Sequence, residues 1–336
     1  MKRLAMLVAC LFALTATAPK VGVYYFSGWS NDPFNAADSW AKIRPYPERE
    51  PLIGWYRGSD RAVVQQQADW MQAAHLDFVV FDWYYEKGKV QLGGPLDAYL
   101  ALSSKRPKVS LLWADHGAHT TAAPWHAIVA AWARTIARAD VFRIGGANVI
   151  FVFDAQRFAD DAKADGAGAD EWLAYAQAEM RRRGLPPIHF VGGVYGGEDT
   201  IIPAITKLGF ASITAYNMHR KTGSTADAKG YPALDDAYRA NWRRMLRFTP
   251  ALKPILPMIS GWDHAPWGAQ PARDGSIATA AQFRAHLAAA REVMAANRLD
   301  AGVICCWNEY GEGSFIEPTK GAGTAMIDTV AATFPR

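Results

Sequence analysis

The sequence predicts an α/β fold, a single (β/α)8 barrel of the TIM type. Eight short apolar runs alternate with eight helix-like segments, and several runs are apolar on both faces, as covered parallel strands are. Nearly every run also ends in an aromatic residue beside a polar or acidic one, which suits the mouth of a barrel. The chain has 336 residues, half of them hydrophobic, and a barrel of about 250 residues or somewhat more can be one unit.

Residues 1–18 read as a signal peptide and 19–336 as the barrel domain. Lys2 and Arg3 form a basic start, residues 4–14 an apolar stretch too short to span a bilayer, and Ala16-Thr17-Ala18 a cleavage site. Export to the periplasm or medium is therefore expected. Residues 7–10 resemble a lipoprotein box, but so early a Cys10 leaves little apolar segment before it, so plain cleavage ranks above anchoring. No later stretch is long and apolar enough for stable membrane insertion.

The expected strands are 21–29, 77–85, 108–116, 148–158, 188–195, 211–219, 254–262 and 301–307. The expected helices are 61–74, 96–104, 125–137, 170–183, 200–208, 234–247, 280–297 and 325–333. Segments 31–50 and 221–231 follow strands and read as functional loops. Cys305 and Cys306 are neighbours in an apolar run. Strand neighbours point to opposite faces, so the two are expected as buried free thiols.

The formal net charge of +4 includes Lys2 and Arg3, and loss of the leader leaves about +2, which gives no case for nucleic-acid binding. Thirteen Trp residues suit stacking on sugar rings as well as core packing. The strand ends supply candidate substrate contacts: Trp29; Asp82, Trp83 and Tyr84; Trp113, Asp115 and His116; Asp154; Tyr195; Tyr216 and His219; Trp262 and Asp263; Trp307 and Asn308. For any one aspartate, capping of the following helix is the competing reading. His116, His219 and His264, with Asp115 and Asp263, come from different strands without metal-ligand spacing, so no metal site is assigned. No strand is followed by a phosphate-binding glycine loop or a serine nucleophile elbow, so no cofactor is expected.

The sharpest pattern is Trp307-Asn308-Glu309-Tyr310-Gly311-Glu312-Gly313. Two glutamates three apart would face opposite ways on a continuing strand. In a helical turn such residues become neighbours, with Cβ atoms roughly 5–6 Å apart, and Gly311 and Gly313 allow a turn. Close carboxyl pairs suit acid–base work because one ionises while the other stays protonated. A separation of about 5–5.5 Å would suit retention at a sugar carbon. Two solvated loop carboxylates are the competing reading, and Glu317 is a third, structural candidate. Glu312 is expected to have its pKa raised by apolar surroundings and by the Glu309 charge.

The chain resembles glycoside hydrolase family 99 and its WbsX-like relatives. The resemblance rests on 51–56, 60–74 and 76–84, Pro95-Leu96-Asp97, 113–116, 142–152, 261–263, 307–313 and Ile316-Glu317-Pro318. It implies a (β/α)8 barrel and retaining, endo-acting cleavage of α-mannosides. By motif match it implies Glu309 as base on the sugar 2-hydroxyl, which attacks through a 1,2-anhydro sugar, and Glu312 as general acid. Tyr310 stands where the family carries Trp, and Asp115-His116 where relatives carry Asn-Glu. The match is closer to the WbsX-like branch than to the mannosidases. The expected partner is therefore an oligo- or polysaccharide. The alternatives are a WbsX-like glycosyl-transferring enzyme and a non-catalytic glycan-binding barrel.

Overall fold

The computed structural model describes residues 18–29, 38–115, 120–194, 201–218, 229–249, 252–268 and 276–336. The signal-peptide reading of 1–18, and with it Cys10, falls almost wholly outside them.

Strand β1 (Lys20–Tyr25) leads through a loop to helix α1 (Arg61–Ala73). β2 (Phe78–Glu86) and β3 (Lys89–Gln91) form a hairpin before α2 (Gly94–Leu100). β4 (Lys108–Trp113) precedes α3 (Ala122–Arg138). β5 (Arg143–Ile144) folds back on β6 (Ala147–Val152), which precedes α4 (Ala155–Ala164) and α5 (Ala169–Arg182). β7 (Ile188–Gly193), α6 (Ile201–Ile205), β8 (Ser212–Thr214) and α7 (Tyr231–Leu246) follow. β9 (Lys253–Pro254) and β10 (Leu256–Ile259) are one stave interrupted at Ile255, and α8 (Ala280–Ala296) comes next. β11 (Ala301–Cys305), the hairpin β12 (Asn308–Glu309) and β13 (Ser314–Phe315), and α9 (Ala325–Thr333) complete the order.

The staves pair in parallel in the order β10-β11-β1-β2-β4-β6-β7-β8-β9. Because β9 pairs with β8 and β10 with β11, the interrupted stave closes the ring. This is the predicted (β/α)8 barrel.

The differences from the predicted elements are local. The run 148–158 stops being a strand at Val152. Asp154 Oδ1 accepts the backbone N–H groups of Gln156 and Arg157, both at 3.0 Å, so the chain turns into α4. The β2–β3 hairpin was not predicted, although Lys87-Gly88 is its turn, with φ of +50° and +78° as a tight two-residue hairpin requires. The expectation of free thiols is corrected: Cys305 and Cys306 are joined by a disulfide, and since β11 ends at Cys305, strand alternation does not extend to Cys306.

Strand alternation divides the aromatics. Trp113 faces the outer helices, where it meets Trp125 and Trp132 of α3 at ring-centroid distances of 5.7 and 5.9 Å. Trp125 stacks on Trp172 of α5 at 5.4 Å, and its indole N–H donates to Trp172 O at 3.1 Å. A smaller aromatic core of Trp29, Trp40, Ile43, Tyr56, Tyr310 and Phe315 lies between the loop after β1 and the terminal hairpin. Trp125→Ala should cost about 3–5 kcal/mol through the cavity it leaves. Urea unfolding checks this, and a loss below about 1 kcal/mol would contradict the packing described.

Candidate active site

Asn308 joins the β12–β13 hairpin to the barrel. Its amide imitates a strand partner for Phe26: Oδ1 accepts Phe26 N–H at 2.8 Å, and Nδ2 donates to Phe26 O at 3.0 Å. Trp29 Nε1 donates to Asn308 O at 2.7 Å. The four residues Tyr310 to Gly313 then reverse the chain, with Asn308 opposite Phe315 and Glu309 opposite Ser314. The glycines are needed for close approach. A Cβ on Gly311 would collide with the Trp267 ring, and Gly313 has φ of +71° and backs onto Asp263.

Neighbouring loops hold the turn. Arg49 Nη1 donates to Tyr310 O at 2.7 Å and to Asp263 O at 3.2 Å. Its Nη2 pairs with Asp263 Oδ2 at 3.1 Å, with the arginine fully buried. Asp263 N–H donates to Glu312 O, and Ser314 Oγ donates to Gly261 O. Beneath the turn, buried Glu317 accepts Gln67 Nε2 at 2.8 Å, Tyr56 Oη at 2.8 Å and Tyr310 Oη at 2.7 Å. Burial outweighs these bonds and pushes the Glu317 carboxyl up to about 7.

Both candidate carboxylates reach the end of β8. Tyr216 continues the inward parity of Ser212 and Thr214, and its hydroxyl lies 3.0 Å from Glu309 Oε1 and 2.8 Å from Asp82 Oδ2. Asn217 Nδ2 donates to Glu312 Oε2 at 3.5 Å, a long contact. Glu309 is 7% exposed and Asp82 5%, whereas Glu312 is half-buried. Burial raises Glu309 well above the usual carboxylate range, and the charges of Glu312 and Asp82 add to it. Burial raises Glu312 to about 7, opposed by the Asn217 bond. Burial is thus the leading cause for both carboxyls, and the two glutamates, facing one cavity, each disfavour the other's charged form. Asp82 is also raised by burial, with Glu312 contributing. Tyr84 follows Asp82 by two residues on β2 and so shares its face, and burial, with the charges of Asp82, Glu309 and Glu312, raises its hydroxyl. Such a cluster can exchange protons near neutral pH with a ligand entering the mouth.

The family described as "Glycosyltransferase WbsX" matches residues 45–330. The chain belongs to this WbsX family. A solved glycoside hydrolase-like protein is 13% identical, with a TM-score of 0.68 and 94% of each chain covered. The GH99 endo-α-mannosidase from Bacteroides thetaiotaomicron, in complex with BIS-TRIS-propane, is 16% identical. Its TM-score is 0.63, over 93% of this chain and 95% of that one. A second structure of a GH99 endo-α-mannosidase from that organism is 15% identical, with a TM-score of 0.62 over 92% and 95%. At these identities the likeness shows the barrel fold. No curated protein matches the chain.

In this WbsX-family chain, Asp82, Tyr84, Tyr216, Glu309 and Glu312 come together at the mouth. Other expected contacts are placed elsewhere. Trp83 meets Trp132 of α3 and Trp113 lies under the outer helices, because alternate strand residues face away from the lumen, while Trp29, in the loop past β1, belongs to the small aromatic core. Trp307 and Asn308 are fully buried, and the Asn308 amide is engaged by Phe26. Asp154 caps α4, Asp263 is held by Arg49, and Trp262 is buried with its ring 4.0 Å from that of His264. Asp115 lines a separate cleft of about 490 Å³ with Tyr85, Trp113 and Thr120 that takes in neither glutamate. His116, Tyr195 and His219 lie outside the described residues. Among the described residues, no three His, Cys, Asp or Glu side chains are placed to hold a metal, and no helix is long and apolar enough to cross a membrane. Sequence reasoning missed Arg49, one of two arginines in a Pro-rich segment without a motif. It also missed Asn217, whose only signal is adjacency to Tyr216.

Arg49→Met should destabilise the fold by about 3–5 kcal/mol by leaving Asp263 buried and unpaired, and Arg49→Met with Asp263→Leu should recover most of that. Denaturant unfolding of both variants decides it, and equal losses in the two would refute the pairing. Asp115 offers a pH test. Burial raises its carboxyl from 3.8 to about 8, with the Asp154 charge adding. A carboxyl raised in the folded state contributes stability at low pH that is lost as pH rises. The Asp115→Asn variant should therefore lose less stability than the parent between pH 4 and 8, as measured by urea midpoints.

Proposed function

We propose that this chain is a retaining glycoside hydrolase acting within an α-mannoside-like polysaccharide, with Glu309 as base and Glu312 as acid. The observation that carries the reading is the tight β12–β13 turn, which presents two buried-side carboxyls to adjacent residues of one strand end, Tyr216 and Asn217. The GH99 likeness of the fold and of the sequence motif supports the substrate class.

The chemistry follows from the proton inventory. Glu309 takes the proton of the sugar 2-hydroxyl as that oxygen bonds to the anomeric carbon. The bond to the leaving oxygen breaks, and Glu312 gives that oxygen its proton. Water then opens the 1,2-anhydro sugar from the opposite face: Glu312 takes the water proton and Glu309 returns its own to O2. Two inversions give net retention. No carboxylate has to reach the anomeric carbon, so a pair in one turn suffices. The expected export of the chain through residues 1–18 fits an environmental or exported glycan, and N-terminal sequencing of the mature protein should begin at Pro19.

The family description favours a second reading, transfer to a sugar acceptor. The same intermediate opened by a carbohydrate hydroxyl instead of water gives a transferase with the same two glutamates. Incubation with α-mannan and bacterial exopolysaccharide fragments, with and without acceptor, separates the two. A strict requirement for a nucleotide sugar would defeat the hydrolase reading, and binding without any product would defeat both.

Glu312→Gln should lower turnover by about 10²–10⁴-fold while sugar binding survives in calorimetry, and retained activity rules out the proposed acid. A 2-deoxy analogue should bind and not react. Because Glu312 must be protonated in the first step and its carboxyl is raised to about 7, the rate should fall as pH rises through that value.

A further inference from the structure

Two carboxylates share one hydroxyl across the lumen. β2 and β8 stand four steps apart around the ring, yet Tyr216 Oη is within hydrogen-bond reach of both Asp82 Oδ2, at 2.8 Å, and Glu309 Oε1, at 3.0 Å. A phenol carries one hydrogen and donates it to one partner only. The other contact is oxygen facing oxygen, and it holds only if that carboxyl carries a proton and donates it to the phenol. Two ionised carboxylates at this spacing, buried together, would repel with little screening. The trio therefore holds two hydrogens, one from the phenol and one more. The described titratable groups that act on it are Tyr24 from β1, Tyr84 from β2 and Glu312 from the turn, none of them a cation. Asp82 Oδ1 is buried without a hydrogen-bond partner among the described residues, an environment that suits the neutral acid.

We propose that Tyr216 and Asp82 form a proton relay that sets the charge of Glu309, with the extra proton on Asp82 when Glu309 acts as base. In the idle form, Glu309 is protonated and donates to the phenol oxygen, while the phenol donates to ionised Asp82. To switch, the O–H bond of Glu309 breaks as its proton bonds to the phenol oxygen. The phenol's own O–H breaks as that proton bonds to Asp82. Two protons move, none leaves the protein, no electron is transferred, and the negative charge passes from Asp82 to Glu309. Glu309 can then accept the 2-hydroxyl proton despite the burial that favours its neutral form. Asp82 and Tyr216 are positioning residues that act through Glu309, and the inference rests on the reading of Glu309 as base.

The test is infrared difference spectroscopy of the mature protein near neutral pH, in water and deuterium oxide. The parent minus Glu309→Gln spectrum should contain one protonated-carboxyl C=O band that shifts on deuteration, since the resting proton is on Glu309. No such band means that Glu309 is ionised at rest and overturns the relay. Tyr216→Phe carries the test independently if Glu309→Gln does not fold: the band should persist but move, because its acceptor is gone, and an unmoved band overturns the proposal. With a turned-over glycan, Tyr216→Phe should lower kcat at least about tenfold with little change in KM. The acidic limb of its pH–rate profile should move to higher pH, since the ionised base loses its donor; an unmoved limb overturns the relay. If the parent turns over no glycan, the base assignment fails while the infrared result still stands on its own, so the two failures are distinguishable.

Discussion

Two carboxylates three residues apart can serve one cavity only if the backbone reverses between them. The β12–β13 turn makes that reversal, and most of the surrounding architecture keeps it in place. Asn308 pins the turn's first strand to Phe26, Arg49 holds Tyr310 O, Asp263 N–H holds Glu312 O, and Ser314 holds Gly261 O. Gly261 has room for no side chain because its Cβ would meet Gly313 O. Loops after β1 and β10 thus converge on the hairpin that follows β11. This is how a barrel whose loops are its variable parts can still position a reactive group closely.

The buried polar groups fall into two kinds. Glu317, Asn308 and the His286–Asp235 pair have their capacity taken up by protein partners, with His286 Nδ1 2.7 Å from Asp235 Oδ1 and Nε2 accepting Ile259 N–H at 3.1 Å. These groups fix geometry. Asp82 and Asp115 are different, since each keeps one buried oxygen without a partner among the described residues. Unsatisfied buried oxygens cost stability, and they are tolerated where a ligand or a proton will satisfy them. Asp82 has its open oxygen at the mouth, and Asp115 has its own in the separate cleft beside Trp113.

Much of the barrel was legible because alternating β and α runs with two-sided apolar strands have few other solutions. What failed at the site was the choice of face. Asp82, Trp83 and Tyr84 look equally suitable in one dimension, but strand parity sends Asp82 inward and Trp83 to α3. Trp113 shows the same ambiguity, since a tryptophan at a strand end can face a sugar or a helix, whereas Trp29 lies past the end of β1, where strand parity gives no guide. Asp154 illustrates the other ambiguity, since a carboxylate at a strand end is equally suited to cap the next helix.

By itself, the sequence determined the order of staves and helices, the turn-forming glycines at 311 and 313, and the glutamate pair, because periodicity and backbone freedom are local properties of the chain. Only the tertiary structure decided that Tyr216 bridges Asp82 and Glu309, that Arg49 is matched to Asp263, and that Glu317 is saturated rather than reactive. Each of these joins residues more than forty apart, or depends on how deeply a group is buried. Proximity across a lumen and removal from water come from closing the barrel, and no segment of the chain encodes either alone.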